Sequence, residues 1–303
     1  MAWLISLLLS LLLSPLLPGV INKTKAWFAG RRGPRLLQLY WDIFRLLRKA
    51  PVRSLTATPL FTLAPAANLA TLLVAATLLP CGMNPSPLGF AGDAVLFFYL
   101  LGSGRFLTIL AAMDTGSAFE GMGASREAYF SALVEATIFA ILCFLLTLTV
   151  RTDLSGMLAS FGPTVWQESA TPMLLCALAF IAVLLCENCR VPFDDPETHL
   201  ELTMVHEAMV LDHAGPELGL VLYAASLKLW LLSGFFILLL LPAIPGLPAH
   251  GHALLWTGAT LASGILVGTI ESSLARARFL KVPQLLLGAF AAALIALILL
   301  TAF

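Results

Sequence analysis

The stretch Leu218-Gly-Leu-Val-Leu-Tyr-Ala-Ala-Ser-Leu-Lys228-Leu-Trp-Leu-Leu-Ser-Gly-Phe-Phe-Ile-Leu-Leu-Leu-Leu241 decides the fold class. It carries one charge, and as a helix it is longer than the roughly 30 Å hydrocarbon core of a bilayer. Phe235 to Leu241 is apolar at every position, which excludes the in–out alternation of a membrane β-barrel strand. The remaining structure that satisfies its own backbone in lipid is the α-helix. Seven further runs share this character: 2–21, 58–80, 92–112, 129–149, 169–187, 254–274 and 282–302. The composition agrees: 59% of the 303 residues are apolar, 11% are charged, and the mean hydropathy is +0.94. A soluble domain carries about 25% charge. The chain therefore reads as one integral membrane domain, all-α and polytopic, with eight transmembrane helices. Seventeen basic and seventeen acidic residues cancel, so no global pull toward nucleic acid exists.

The first run lacks preceding basic residues and a small-residue cleavage site, so it reads as a retained helix containing Pro15 and Pro18 rather than a signal peptide. Positive charge sets the orientation. Lys23, Lys25, Arg31, Arg32, Arg35, Arg45, Arg48, Lys49 and Arg53 follow the first run, and Arg126, Arg190, Arg276, Arg278 and Lys281 lie in loops on the same side. Arg151 alone lies in a loop on the other side. The expectation is a cytoplasmic (inner) membrane protein with both termini outward.

Two inner segments carry more than connection. Over 35–49, Leu36, Leu37, Tyr40, Ile43, Phe44 and Leu47 recur at helical spacing opposite Asp42, Arg45, Arg48 and Lys49, which predicts an amphipathic helix in the interface. The loop 187–217 holds eight of the seventeen carboxylates: Glu187, Asp194, Asp195, Glu197, Glu201, Glu207, Asp212 and Glu217. Asp195 can cap a helix with Pro196 at its first position, and Glu197 and Glu201 then share a face and repel. Such a cluster is either a solvated acidic face or, if desolvated, a set of proton acceptors.

Four ionisable residues fall inside spans, where charge is costly and marks a functional candidate. Counted from the cytoplasmic end, Lys228 lies about 15 Å deep, Arg105 about 10 Å, Glu135 about 9 Å and Glu271 about 5 Å. All sit in the inner half. That distribution suits a half-channel reaching the midplane, although a structural ion pair such as Arg105 with Glu135 is an equal reading.

Metal binding is not indicated. Cys186 and Cys189 have CxxC spacing without a second ligand pair, and a tetrahedral site needs four. His199, His206 and His213 repeat every seven residues, which on a helix spaces them about 10 Å apart. His250 and His252 read as solvated outer-loop residues.

The run Glu187-Asn-Cys-Arg190-Val-Pro192-Phe193-Asp194-Asp195-Pro196-Glu197-Thr-His-Leu-Glu201-Leu202 is similar to the signature of subunit 1 of respiratory complex I and its hydrogenase relatives. Arg31-Arg32-Gly33-Pro34 resembles the family's Arg-x-Gly-Pro element. Asp114-Thr-Gly-Ser-Ala-Phe-Glu-Gly-Met-Gly-Ala-Ser-Arg126-Glu127, Ser226-Leu-Lys228 and Glu271 followed by Leu274-Ala-Arg276 resemble the membrane-bound nickel–iron hydrogenase branch, the formate hydrogenlyase and hydrogenase-4 type. One departure stands out. Leu211-Asp212-His213-Ala214-Gly215 occurs where the family has Glu-Tyr-Ser-Gly, with Asp212 in place of that Glu and His213 in place of the Tyr.

The resemblance implies a membrane anchor without a redox centre of its own. It would sit beneath a soluble arm of hydrogenase-like large and small subunits and a ferredoxin-like iron–sulfur subunit. The nickel–iron and iron–sulfur centres would belong to those partners, and antiporter-like membrane subunits would lie alongside. Glu187, Asp194, Asp195, Glu197, Glu201, Glu207 and Asp212 would start a proton relay, continued inward by Glu135, Lys228 and Glu271. Arg105, Arg126, Arg190 and Asp114 would pair with or tune the acids, and Arg31, Arg32, Gly33 and Pro34 would dock the arm. The alternatives are the quinone-chamber subunit of an NADH:quinone oxidoreductase, a stand-alone ion transporter and a purely structural anchor.

Overall fold

The computed structural model describes residues 2–54, 56–82, 84–194, 204–241 and 248–302, and these residues are helical with no strand among them. The helices are α1 (Ala2–Leu13), α2 (Leu16–Phe28), α3 (Gln38–Leu47), α4 (Pro59–Leu78), α5 (Asp93–Asp114), α6 (Ala118–Thr149), α7 (Leu154–Ala159), α8 (Pro163–Glu168), α9 (Ala170–Glu187), α10 (His206–Met209), α11 (Pro216–Leu240), α12 (Ala249–Ser273) and α13 (Val282–Ala302). Seven stretches, namely α4, α5, α6, α9, α11, α12 and Phe279–Ala302, are long and apolar enough to cross a membrane. The α1–α2 pair makes an eighth if counted as one broken span.

Two boundaries correct the expectations. The first run is not one helix over 2–21: α1 and α2 meet at 49°. Pro15 lies at the break, where its ring clashes with the preceding turn and it has no N–H to give. Helix α2 then continues to Phe28, carrying Lys23 and Lys25 on an extension that hydropathy alone assigns to a loop. The fourth span does not begin at 129. Helix α6 starts at Ala118 and runs for 32 residues, because its polar first third is buried by α10. A side chain at Gly123 would come within 2.9 Å of Ala208 Cβ and of Val205 O, so glycine is what lets α10 lie down there.

Helix α11 is the most enclosed of the spans, which is why its sequence is apolar on every side. Phe235 contributes to a ring cluster with Phe98 (5.2 Å) and Phe180 (5.0 Å). Trp256 of α12 donates its indole N–H to Gly234 O at 3.0 Å, and a side chain at 234 would strike that indole at 2.5 Å. The outer end of the bundle is tied by Asp93, which is fully buried and accepts backbone N–H groups of Leu154 and Phe90.

Helix α3 lies across the opposite end against α11, with Leu46 and Leu47 over Gly219, and leaves Trp41 and Phe44 exposed. Of the acidic loop, the turn 188–194 and residues 204–217 are described. Asp195, Glu197 and Glu201, with the capped helix expected at Pro196 and His199, lie outside the described residues.

Candidate functional site

Three of the four ionisable residues expected inside spans, Arg105, Lys228 and Glu135, gather around Glu187, the last residue of α9. One carboxylate oxygen is 2.7 Å from Arg105 Nη2 of α5, and the other is 2.6 Å from Lys228 Nζ of α11. Glu127 and Glu135, both on α6, each lie 3.9 Å from the same guanidinium. Arg105, Glu127 and Glu187 are buried, whereas the Glu135 side chain is 54% exposed on the flank of the bundle. The pairing expected between Arg105 and Glu135 is therefore the long contact, and Glu187 is the close partner.

Three carboxylates against two cations leave this group one negative charge in excess when all are ionised. The two buried acids, Glu127 and Glu187, balance Arg105 and Lys228, so the excess falls on the half-exposed Glu135 at the flank, and uptake of one proton by the group removes it. The arrangement can thus hold and release a proton without rebuilding the bundle.

Two cavities meet at this cluster. One, of about 220 Å³, reaches from Arg105, Glu187 and Lys228 past Glu127 and Ser226 to His206 and Glu207 at the loop end. The other, of about 290 Å³, runs from Arg105 and Glu187 between α5 and α6 to Glu135, with walls of Phe98, Tyr99 and Phe139. Arg105 and Glu187 line both.

A second cluster surrounds Glu271 of α12, whose side chain is fully buried between Lys25 Nζ (3.2 Å) and Arg190 Nη1 (3.4 Å). Asp194 pairs with Arg276 at 2.7 Å and accepts the His206 N–H at 3.3 Å, which fastens the loop to the end of α12. Glu271 thus clamps α2, α12 and the loop together, and its partner Arg190 also lines the cavity that holds Glu187 and Lys228.

Other expected residues take different places. Among the described residues no cation pairs with the Asp114 carboxylate; it accepts the backbone N–H groups of Thr58 and Phe61 and caps α4. Arg126 donates to Met204 O at 2.9 Å and lies 5.2 Å over the Phe279 ring. Asp212 points outward and meets the bundle through its backbone N–H, which Glu120 accepts at 3.0 Å. His252 is buried within the first turn of α12 rather than solvated, because that helix begins at Ala249 and carries the residue inward; His250 is exposed. Cys189 is half-buried, and desolvation pushes its thiol well above the ordinary range, the state of a packing residue rather than a nucleophile. No group of three metal-binding side chains occurs among the described residues.

Sequence reading missed Glu127, the buried third acid. It sits seven residues after the buried Glu120 and eight before Glu135, and this helical spacing was the available signal. Glu217, counted in the acidic loop, instead holds Arg53 at 2.8 Å and stands 3.9 Å from His213 Nδ1, a pairing the sequence did not indicate.

His213 is 3% exposed and stacks on Phe61 with ring centroids 4.0 Å apart. Burial pushes its pKa down to about 4, against about 6.5 in an unfolded chain. Between those values the unfolded chain binds a proton that the folded one refuses. Stability is therefore complete above pH 6.5 and is lost as the pH falls toward 4, by about 3 kcal/mol from this residue. His213→Phe keeps the stack and should flatten that part of a stability–pH curve measured in detergent; an unchanged slope would show that the imidazole is not the titrating group.

Comparison with known proteins bears on the whole chain. A family model described as NADH dehydrogenase matches residues 1–302. The chain is 32% identical to formate hydrogenlyase subunit 4 of Escherichia coli (strain K12), covering 97% of this chain and 96% of that protein. It is 30% identical to hydrogenase-4 component C of the same organism, covering 90% and 86%. A chain of the membrane-bound sulfane sulfur reductase, an archaeal respiratory membrane complex, superposes with a TM-score of 0.83 over 99% of this chain and 98% of that one, at 17% identity. That likeness carries the fold alone. Together with apolar helices that end on a buried ionic cluster, the family match identifies this chain as a multi-pass membrane protein belonging to the NADH dehydrogenase (complex I subunit 1) family.

Proposed function

We propose that this chain is the membrane anchor and coupling subunit of a multisubunit hydrogenase or formate hydrogenlyase-type complex in the cell's inner membrane. The names of its two Escherichia coli relatives support that assignment. The observation that carries the coupling role is the pair of cavities sharing Arg105 and Glu187. Together they trace a bent path from the loop end of the bundle to its flank, with an ion pair at the corner.

Redox chemistry would take place in a soluble arm above that loop end. Nickel–iron and iron–sulfur centres would be held there by hydrogenase-like large and small subunits and a ferredoxin-like subunit. The arm would dock on the exposed turn Arg31, Arg32, Gly33 and Pro34, which lies where α2 ends. Glu207 and Asp194, with Asp195, Glu197 and Glu201 of the same loop, would receive charge changes from the arm. Glu127 and Glu187 would store one proton against Arg105 and Lys228, and Glu135 would pass it sideways to an antiporter-like membrane subunit. Arg190 and Glu271 would hold the loop in register. The excess of Lys and Arg at this end supports its cytoplasmic placement, with both termini on the outer side.

The test is isolation of the intact complex in mild detergent, followed by reconstitution into liposomes. Nickel-containing large and iron–sulfur small subunits should co-purify, and electron transfer should build an ion gradient that is lost in Glu135→Gln. Co-purification with flavin-binding NADH-oxidising subunits instead would overturn the hydrogenase assignment. A full gradient in Glu135→Gln would overturn the lateral path.

A further inference from the structure

A groove of about 670 Å³ runs between α2, the turn that follows it and α12. It exists because α2 and α12 touch through glycines. A side chain at Gly264 would meet Leu17 at 2.9 Å, and one at Gly268 would meet Thr24 at 2.7 Å. The chain after α2 then folds back along the helix, with Arg31 N–H donating to Ala26 O at 2.8 Å and the Leu36 backbone lying against Gly19.

The groove is graded along its length. Val20, Leu36 and Ile265 form one end, and Lys23, Arg31 and Arg32 the other. Lys23 Nζ reaches across to Arg32 O at 2.8 Å and holds the turn in place. Arg31 and Arg32 are exposed and make no ion pair with any described residue, and no carboxylate among the described residues lines the groove. Trp27 and Phe28, 75% and 51% exposed, also line the groove, and exposed aromatic side chains of this kind gather at a membrane–water boundary.

We infer that this groove is a binding site for one anionic phospholipid, its phosphate between Arg31 and Arg32 and an acyl chain along Val20, Leu36 and Ile265. A free phosphate would satisfy the arginines and leave the apolar end empty. A neutral amphiphile would fill the apolar end and leave two cations uncompensated. An anionic lipid matches both ends, and arginine suits it by presenting two parallel N–H donors to phosphate oxygens. The site requires only that the helices cross a membrane, so it stands or falls separately from the redox assignment. The proposed arm dock uses the same two arginines, so arm and lipid would compete for them, and labelling should rise when the soluble arm is stripped from the complex.

The test uses the intact complex in liposomes with phosphatidylglycerol bearing a photoreactive acyl chain, and adducts are mapped by mass spectrometry. Adducts should fall on residues 20–36 and 265–269. Excess phosphatidylglycerol should suppress them, whereas phosphatidylcholine and inorganic phosphate should not. Each interfacial cation is worth roughly fivefold in preference for anionic lipid. Arg31→Gln/Arg32→Gln should therefore lower labelling by roughly twenty-five-fold, with adducts on the exposed face of α13 unchanged as the internal control. Ile265→Trp, which fills the apolar end and keeps both arginines, should also lower it. Equal suppression by phosphatidylcholine, suppression by inorganic phosphate, or labelling indifferent to either variant would overturn the site.

Discussion

Glu187→Ala is expected to cost about 3–5 kcal/mol of stability, the usual penalty for leaving a buried charge without its partner. Two partners are orphaned at once. Arg105 at 2.7 Å and Lys228 at 2.6 Å are both held by this carboxylate, and without it the remaining acid contacts of Arg105 among the described residues are at 3.9 Å. In thermal unfolding of the purified complex, the transition of this subunit should fall by about 10 °C. Lys228→Ala added to Glu187→Ala should cost much less than the sum of the two single changes, because it removes one of the cations left stranded. Additive effects, or a single-variant cost below about 1 kcal/mol, would mean that water or neighbouring acids already satisfy these cations, and the cluster would lose its claim to be an isolated store of charge.

Glu127→Gln separates coupling from stability. Glutamine keeps the shape of the side chain, and the change turns three carboxylates against two cations into two against two. The cluster then has no excess charge for a proton to neutralise. Ion transport coupled to electron flow should drop by roughly a hundredfold, in line with the loss of a positioned proton-transfer group, while assembly and thermal transition stay close to those of the parent. Glu120→Gln is the matched control. Glu120 is an equally buried acid of the same helix, but it binds the Asp212 backbone N–H and does not line the cavity. Parental ion movement per electron in Glu127→Gln would remove this acid from the relay.

Much of the architecture is legible from local composition. A run such as Leu218–Leu241 has one stable solution in lipid, so the spans follow from hydropathy, most of them within a few residues of the helices formed. The short-range signals that fail are instructive. Hydropathy treats Ala118–Ala128 as a loop because it is rich in glycine and charge, yet α10 buries it and the helix runs through. That tertiary burial is why Glu127 was invisible as a site residue. Asp114 was read as a charge partner from the family resemblance, but the backbone donors of α4 claim it.

The amino-acid sequence by itself determined that the chain is helical and membrane-spanning, and that the ionisable groups within its spans, apart from Asp93 and His252 at helix ends, lie toward the end that carries the acidic loop. Those properties depend on transfer free energies of individual segments, which sum along the chain without reference to neighbours. Which acid meets which cation was decided only by the tertiary structure. Glu187, Arg105, Glu127 and Lys228 come from four different helices, and their 2.6–3.9 Å spacings depend on how those helices rotate and cross. Packing sets those angles, and no local stretch of sequence encodes them.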